Sequence, residues 1–376
     1  MRRKVLLTEV IYAVKLSVSP IGCWPLPQDA TKFKIFCLKL YHYFCIVMTV
    51  CLAAPMTYAV IYSLNDPLNI VQITSITSGL YHTMCNFFFY KINYHRIQNV
   101  TVEMVHFNNL MKPREEIVIQ RYIDKCFVLY GASLITFYLV TIVTVFLPAM
   151  TEQSFPTLAK YPFDVSYQPL KAIIYVQQSA VGFMVTGQLC INVYMALLLW
   201  FTAARFDILI EELKTVTNVY ELCKCIKTHQ ELLKYANEVA IAARPFAFIS
   251  ICCSTVSLIT VLLMLITKPP LLFSLQYSAI ATAGIAEVFM YMWPAEFLMR
   301  TNYEVGHVAF NLLENNHLSN FIQIWEHLQF IIMRCQEPIM VTIPCLMPSL
   351  SFNYFTRYLS TILSYFTTLR VMMDDG

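Results

Sequence analysis

Seven long, predominantly apolar runs divide this chain, at 40–64, 68–90, 126–150, 172–204, 245–267, 271–297 and 350–373. Each reaches the ~20 residues that an α-helix needs to cross the hydrocarbon core of a bilayer. A chain with seven such runs reads as an all-α membrane protein of seven transmembrane helices, because a spanning helix satisfies its own backbone polar groups. Composition agrees: hydrophobic residues make up 58% and charged residues 13%, against about a quarter charged in soluble domains. The net charge of +3 is too small, and the basic residues too dispersed, for a nucleic-acid partner.

The connections carry the orientation. Twenty-one of the 26 Lys and Arg residues fall in the N-terminal segment, at Lys91, and in the polar stretches 93–125, 205–244 and 298–336, all on one side. Only Lys160, Lys171 and Lys268 fall on the other side, and Arg357 and Arg370 lie in the last span. The positive-inside rule puts the N-terminus in the cytoplasm and, with an odd number of spans, the C-terminus outside. Asn65-Asp66-Pro67 and Lys268-Pro269-Pro270 read as minimal turns, and the three polar stretches as long loops. Within 205–244, apolar residues at three- and four-residue spacing extend the fourth and fifth helices into the cytoplasm. The basic start is not a signal peptide, since Glu9 and Lys15 interrupt the apolar stretch and no small-residue cleavage site follows. It reads as an amphipathic helix lying along the interface. The stretch 321–347, interrupted by Arg334, Glu337, Pro338 and Pro344, reads as the cytoplasmic first part of a broken seventh helix. The organisation that results is an interfacial segment (1–34), a membrane domain of six spans (35–300), and an anchor with the seventh span (301–376).

That last span has two faces. On a 3.6-residue period Asn353, Arg357, Thr361, Ser364, Thr368 and Met372 fall within a sector about 100° wide, and Phe355, Leu359, Ile362, Phe366, Leu369 and Met373 roughly opposite. A helix so divided packs its apolar face on protein or lipid and turns its polar face to water or a partner helix, as a pore-lining helix does. An ordinary helix whose Ser and Thr hydroxyls bond back to their own carbonyls is the other reading.

No catalytic constellation is present: no HExxH or HxxE-type pair, GxSxG, GxxxxGK[ST] or GxGxxG occurs. Neither an enzyme nor a cofactor site is expected. The eight histidines read as solvated surface, and most of the 13 cysteines, including Cys37, Cys45, Cys51, Cys85, Cys126, Cys190, Cys252 and Cys253, as small core residues. Cys223 and Cys225 lack the ligand spacing of a zinc site. Polar and aromatic residues at similar depth in the outer halves of the spans suggest a ligand pocket: Tyr81 and His82, Tyr138 and Thr141, Tyr175, Gln178 and Ser179, and Tyr277. Ile76, Leu80, Val145, Val181 and Ala281 supply its apolar lining. Such a pocket suits a small volatile or lipophilic molecule; interhelical packing and an interfacial aromatic belt are the alternative for these residues.

Four strings in order resemble one family, the insect odorant receptors. Gly22-Cys23-Trp24-Pro25 resembles its N-terminal G-x-W-P, and Tyr291-Met292-Trp293-Pro294-Ala295-Glu296 its Tyr-Cys-x-x-Gly-(Glu/Asn). Met333-Arg334-Cys335-Gln336-Glu337-Pro338 resembles its Arg-Ser-Gln-Lys-Pro, and Ser364-Tyr365-Phe366-Thr367-Thr368-Leu369-Arg370 its terminal Ser-Tyr-(Ser)-x-Phe-x-x-Leu-Arg type ending. Met292, Ala295, Cys335 and Glu337 depart from the usual Cys, Gly, Ser and Lys. The short 205–244 segment is unlike that of the shared co-receptor, so the resemblance is to a ligand-tuned subunit. It implies a non-selective cation channel in the dendritic plasma membrane of olfactory neurons, assembled as a hetero- or homotetramer with the odorant co-receptor as partner. The last span would line the pore, with a gate near Thr368, Val371 and Met372. A gustatory-type receptor channel and a secondary transporter of lipophilic molecules are the alternatives.

Overall fold

The computed structural model describes residues 4–63, 67–150, 154–266, 271–314, 322–343 and 348–374. Among them are nine α-helices and no β-strand. These are α1 (Leu7–Ser17), α2 (Lys32–Tyr62), α3 (Pro67–Leu110), α4 (Pro113–Met150), α5 (Leu170–Lys214), α6 (Val219–Ile266), α7 (Leu271–Glu314), α8 (Ile322–Cys335) and α9 (Phe352–Asp374). Met372 lies in α9, but its side chain is outside the described ones, as are the turns at Asn65-Asp66 and 268–270.

The long polar stretches 93–125 and 298–336, expected as loops, are mostly helix: α3 and α4 meet at a two-residue break, and α7 continues to Glu314. Local capping explains the tight corners. Pro113 opens α4 at a position where its missing N–H costs nothing, and Glu115 accepts the Lys112 N–H at 2.8 Å. At the start of α6, the Asn218 side chain accepts the Glu221 N–H at 2.9 Å while Glu221 accepts the Thr217 N–H at 2.9 Å. The amphipathic α1, the extension of α5 and α6 across 205–244, and the break between α8 and α9 stand as expected.

Side-chain pairs fix the packing directions. α2 and α3 are antiparallel, with Thr57 against Tyr81 and Tyr43 against Lys91; so are α4 and α5, with Tyr175 on Val145 and Trp200 on Tyr130. The end of the bundle bearing the 154–169 connection is called distal here, and the end bearing α1 and the α3–α4 and α5–α6 corners proximal. α5 is the central helix, buried continuously from Cys190 to Ala196, whereas the apolar surface of α4 is largely exposed. Among the described residues four helices (α2, α4, α5 and α6) cross a membrane by length and apolarity alone; α3, α7 and α9 complete the set of seven. An exposed apolar face is what a helix bathed in hydrocarbon should show, and lipid supplies no drive for helix association. Close approach must then come from packing. Gly187 of α5 leaves space for Ile21, whose Cγ1 would lie 3.3 Å from an added Cβ, and Gly182 leaves space for Thr141.

The Gly-Cys-Trp-Pro string sits at such a contact. Gly22 has φ +64°, the left-handed region. Its carbonyl meets His42 Nε2 at 3.0 Å, and the Trp24 ring lies 5.0 Å from that of Tyr194 on α5. An added Cβ would also lie 3.1 Å from the Tyr41 ring. Gly22→Ala is therefore expected to cost about 1–2 kcal/mol, the penalty for an L side chain in that region. It should be read as a melting temperature lowered by several degrees in detergent; an unchanged value would show that the turn relaxes freely.

Candidate functional site

Of the pocket residues expected from sequence, the distal half of the bundle gathers Ile76, Leu80 and Val181 into one apolar cluster with Leu52, Met56 and Ile73 of α2 and α3. Tyr277 and Ala281 fall in a second cluster with Val261 on α6. Gln178 is buried and pins the 154–169 connection: its Oε1 accepts from the Thr157 N–H (3.1 Å) and hydroxyl (2.9 Å), and its Nε2 donates to the Tyr161 hydroxyl at 3.1 Å. Burial pushes the Tyr161 phenol above its ordinary pKa, so it stays a neutral hydroxyl able to accept that bond. On α4, Thr141 pairs with Thr186 of α5, and Val145 offers its carbonyl to Tyr175 at 2.6 Å. Tyr138 turns toward the other end and donates to the Ser17 carbonyl of α1 at 2.7 Å. Tyr81 is 46% exposed on the outer surface of α3, within 3.0 Å of the Thr57 hydroxyl. Ser179 bonds back to its own helix.

Midway along the bundle lies a polar group that sequence reading missed except for His82. Asn192 of α5 is its hub. Its Nδ2 donates to Glu287 Oε1 at 2.6 Å, and its Oδ1 accepts from Ser250 at 3.0 Å and from the Tyr291 hydroxyl at 2.8 Å. Ser254 donates to Glu287 Oε2 at 2.8 Å, and His82 Nδ1 stands 3.8 Å from Oε1. All six side chains are buried. The solvated reading of the histidines therefore fails for His82, and also for His229, which is buried with Nε2 3.6 Å from Cys335 Sγ. Likewise Cys37, Cys51 and Cys252 are exposed outward, not in the core, because hydrocarbon accepts a small apolar residue as readily as a protein interior does. One signal was available: Glu287 is a carboxylate in the middle of an apolar run, and an ionisable residue at membrane depth needs partners.

α9 rests on α6 and α7 by one face. Phe355 lies 5.4 Å from Phe289, and Thr255 donates to the Tyr358 hydroxyl at 3.2 Å. Its first turn is capped twice: Ser351 accepts the Tyr354 N–H, and Glu296 of α7 the Phe352 N–H, both at 3.2 Å. The Tyr-x-x-Pro-Ala-Glu string thus holds both the network (Tyr291) and the start of α9 (Glu296). The opposite face is uncovered: Asn353, Arg357, Thr361, Ser364, Thr368 and Val371 are all exposed. The Thr361 and Thr368 hydroxyls bond back to Arg357 and Ser364 carbonyls at 2.8 and 2.9 Å, so the back-bonding reading holds together with an open polar face.

Residues 63–362 match the family model for the 7tm odorant receptor. The chain belongs to that family. Membership places it among receptors, not enzymes, and as a multi-pass membrane protein. This odorant receptor is similar in fold to the insect olfactory receptor OR5 from Machilis hrabei, at 16% identity and a TM-score of 0.78 over 96% of this chain and 98% of that one. The same relative in complex with eugenol gives a TM-score of 0.74 at 16% identity, with the same coverage of both chains. No curated relative matches the receptor in sequence.

Proposed function

We propose that this receptor is a ligand-tuned subunit of a non-selective cation channel, opened by a small volatile or lipophilic molecule and assembled as a tetramer with the odorant co-receptor. It would sit in the dendritic plasma membrane with its N-terminus inside and its C-terminus outside. The observation that carries this reading is α9: an amphipathic helix anchored by its apolar face on α6 and α7, with a polar face that none of the described residues covers. In a membrane such a face needs water or a second subunit. Four copies around an axis would turn Asn353, Arg357, Thr361, Ser364 and Thr368 to a central pore, with Val371 and Met372 as an apolar constriction that dewets.

The ligand is assigned to the distal half, among Ile76, Leu80, Thr141, Val145, Gln178, Val181, Tyr277 and Ala281; of the other two expected residues, Tyr81 faces outward from α3 and Tyr138 turns to Ser17 at the other end. Eugenol, held in complex by the similar Machilis receptor, is of the expected class. Coupling to the pore runs through α6 and α7, which carry Val261, Tyr277 and Ala281 at the ligand end and Thr255, Phe289 and Glu296 under α9. A ligand that binds the open arrangement more tightly shifts the population toward it. Residues 1–34 then serve as an interfacial segment, 35–300 hold the ligand, and 301–376 provide anchor and pore.

Whole-cell recording with and without the co-receptor, against a broad volatile panel, tests this. Current that needs the co-receptor is the expected result. Current without it would favour a gustatory-type channel, and uptake of a lipophilic tracer without current a carrier.

A further inference from the structure

Between α1, α4 and α5, toward the proximal end, lies a half-open cavity of about 320 Å³, within the size range of small-molecule sites. It lies apart from the distal clusters assigned to the ligand. Its wall is built by Val10 and Val14 of α1, Ile123 and Leu134 of α4, and Leu197 and Trp200 of α5. The polar atoms along it are already engaged. Trp200 Nε1 donates to the Tyr130 hydroxyl at 3.1 Å, Tyr130 donates to the Met290 carbonyl at 2.9 Å, and Glu9 accepts the Leu6 N–H at 3.2 Å. A wall with no free polar partner does not hold water.

Two observations choose the occupant. At the rim, Phe127 is 48% exposed and leads into the exposed apolar stripe of Val128, Ile135 and Leu139 along α4. In a transmembrane helix that stripe faces lipid, so the hydrocarbon adjoining the cavity is acyl chain. The proximal rim carries cations: exposed Lys4 precedes the lining residue Val5, and exposed Arg121 precedes the lining residue Tyr122. Asp207, 3.7 Å from Arg121, and Glu9 on the cavity wall balance their charge. We propose that this cavity is a binding site for one acyl chain of a membrane phospholipid, with its phosphate toward Lys4 and Arg121. Seated there, the chain would fill the space under α1 and fasten that helix to α4 and α5.

The test uses the full chain in phosphatidylcholine nanodiscs doped with phosphatidylserine carrying a diazirine on its acyl tail, irradiated and mapped by peptide mass spectrometry. Label is expected on α1 and on the cavity faces of α4 and α5, above the level on the lipid stripe at Ile135 and Leu139. Gly131→Phe should reduce it to the stripe level, since a Cβ at Gly131 meets only the Phe127 ring, at 3.8 Å, and the added ring has the cavity to enter. Ala13→Phe, at an exposed α1 position lining the cavity, is the second variant should the first not fold. Cavity labelling no greater than on the stripe, or unchanged in the filled variant, would overturn the site. Displacement of the label by an activating volatile would reassign the cavity to the receptor's ligand.

Discussion

Asn192→Leu is expected to remove most of the receptor from the cell surface. The substitution keeps the branching and the number of side-chain heavy atoms, although leucine is the bulkier side chain, and its main effect is the loss of polar partners. It takes away the donor to Glu287 Oε1 and the common acceptor of Ser250 and Tyr291. Leaving a buried hydrogen-bonding group without its partner costs about 1–3 kcal/mol, and more where that group is charged, a large part of the 5–15 kcal/mol that holds a typical fold together. Interhelical hydrogen bonds in membranes often contribute less, about 0.6 kcal/mol on average. The larger figure is the apt one here because the group left behind is a carboxylate. The companion variant Asn192→Leu/Glu287→Leu/Tyr291→Phe should recover much of the loss, since replacing a whole buried polar set with apolar side chains is often close to neutral. Surface labelling and melting in detergent read both. Full surface expression of the single variant would mean that Glu287 finds another partner and that Asn192 is not the hub.

Arg357→Glu should change permeation more than any other single substitution on α9. Arg357 is exposed on the uncovered face, one turn beyond Asn353. If that face lines a water-filled path, reversing the charge alters the energy of a cation about 5 Å away by about 1.5–2 kcal/mol in water-like surroundings, or about tenfold in local cation concentration. Single-channel conductance and cation-over-anion selectivity should both rise, and more strongly at low ionic strength, where screening is weak. Because Arg357 makes no contact in the α6–α9 and α7–α9 seams described, protein level should stay near wild type. Currents unchanged in size and selectivity would take Arg357, and with it this face of α9, out of the pore.

The two predictions stand on features that were unequally legible. The division of α9 is a local pattern with a 3.6-residue period, so the sequence alone separated Phe355, Leu359 and Ile362 from Arg357, Thr361 and Thr368, and the structure packs the first set and leaves the second open. The Glu287 network was not readable in this way. Its six members come from α3, α5, α6 and α7, and only the rotation and register of those helices bring them together. His82 is the instructive case: alone in an apolar run it could be set on either a ligand pocket or a surface, and tertiary contact with Ser250 and Glu287 decided otherwise.

What the sequence by itself determined is the membrane class, the number and order of the spans, the broken last helix and its two faces. These follow from a constraint that acts along the chain: a backbone in hydrocarbon must bond to itself, and that takes an apolar helix of fixed minimum length. Only the tertiary structure decided that the polar stretches 93–125 and 298–336 continue as helix and that α5 is central. It also decided that Glu296 caps α9 and that an apolar cavity lies under α1. Each of these depends on which face of one helix meets which face of another, and apolar residues that serve equally well against lipid or protein leave no mark of that choice in the sequence.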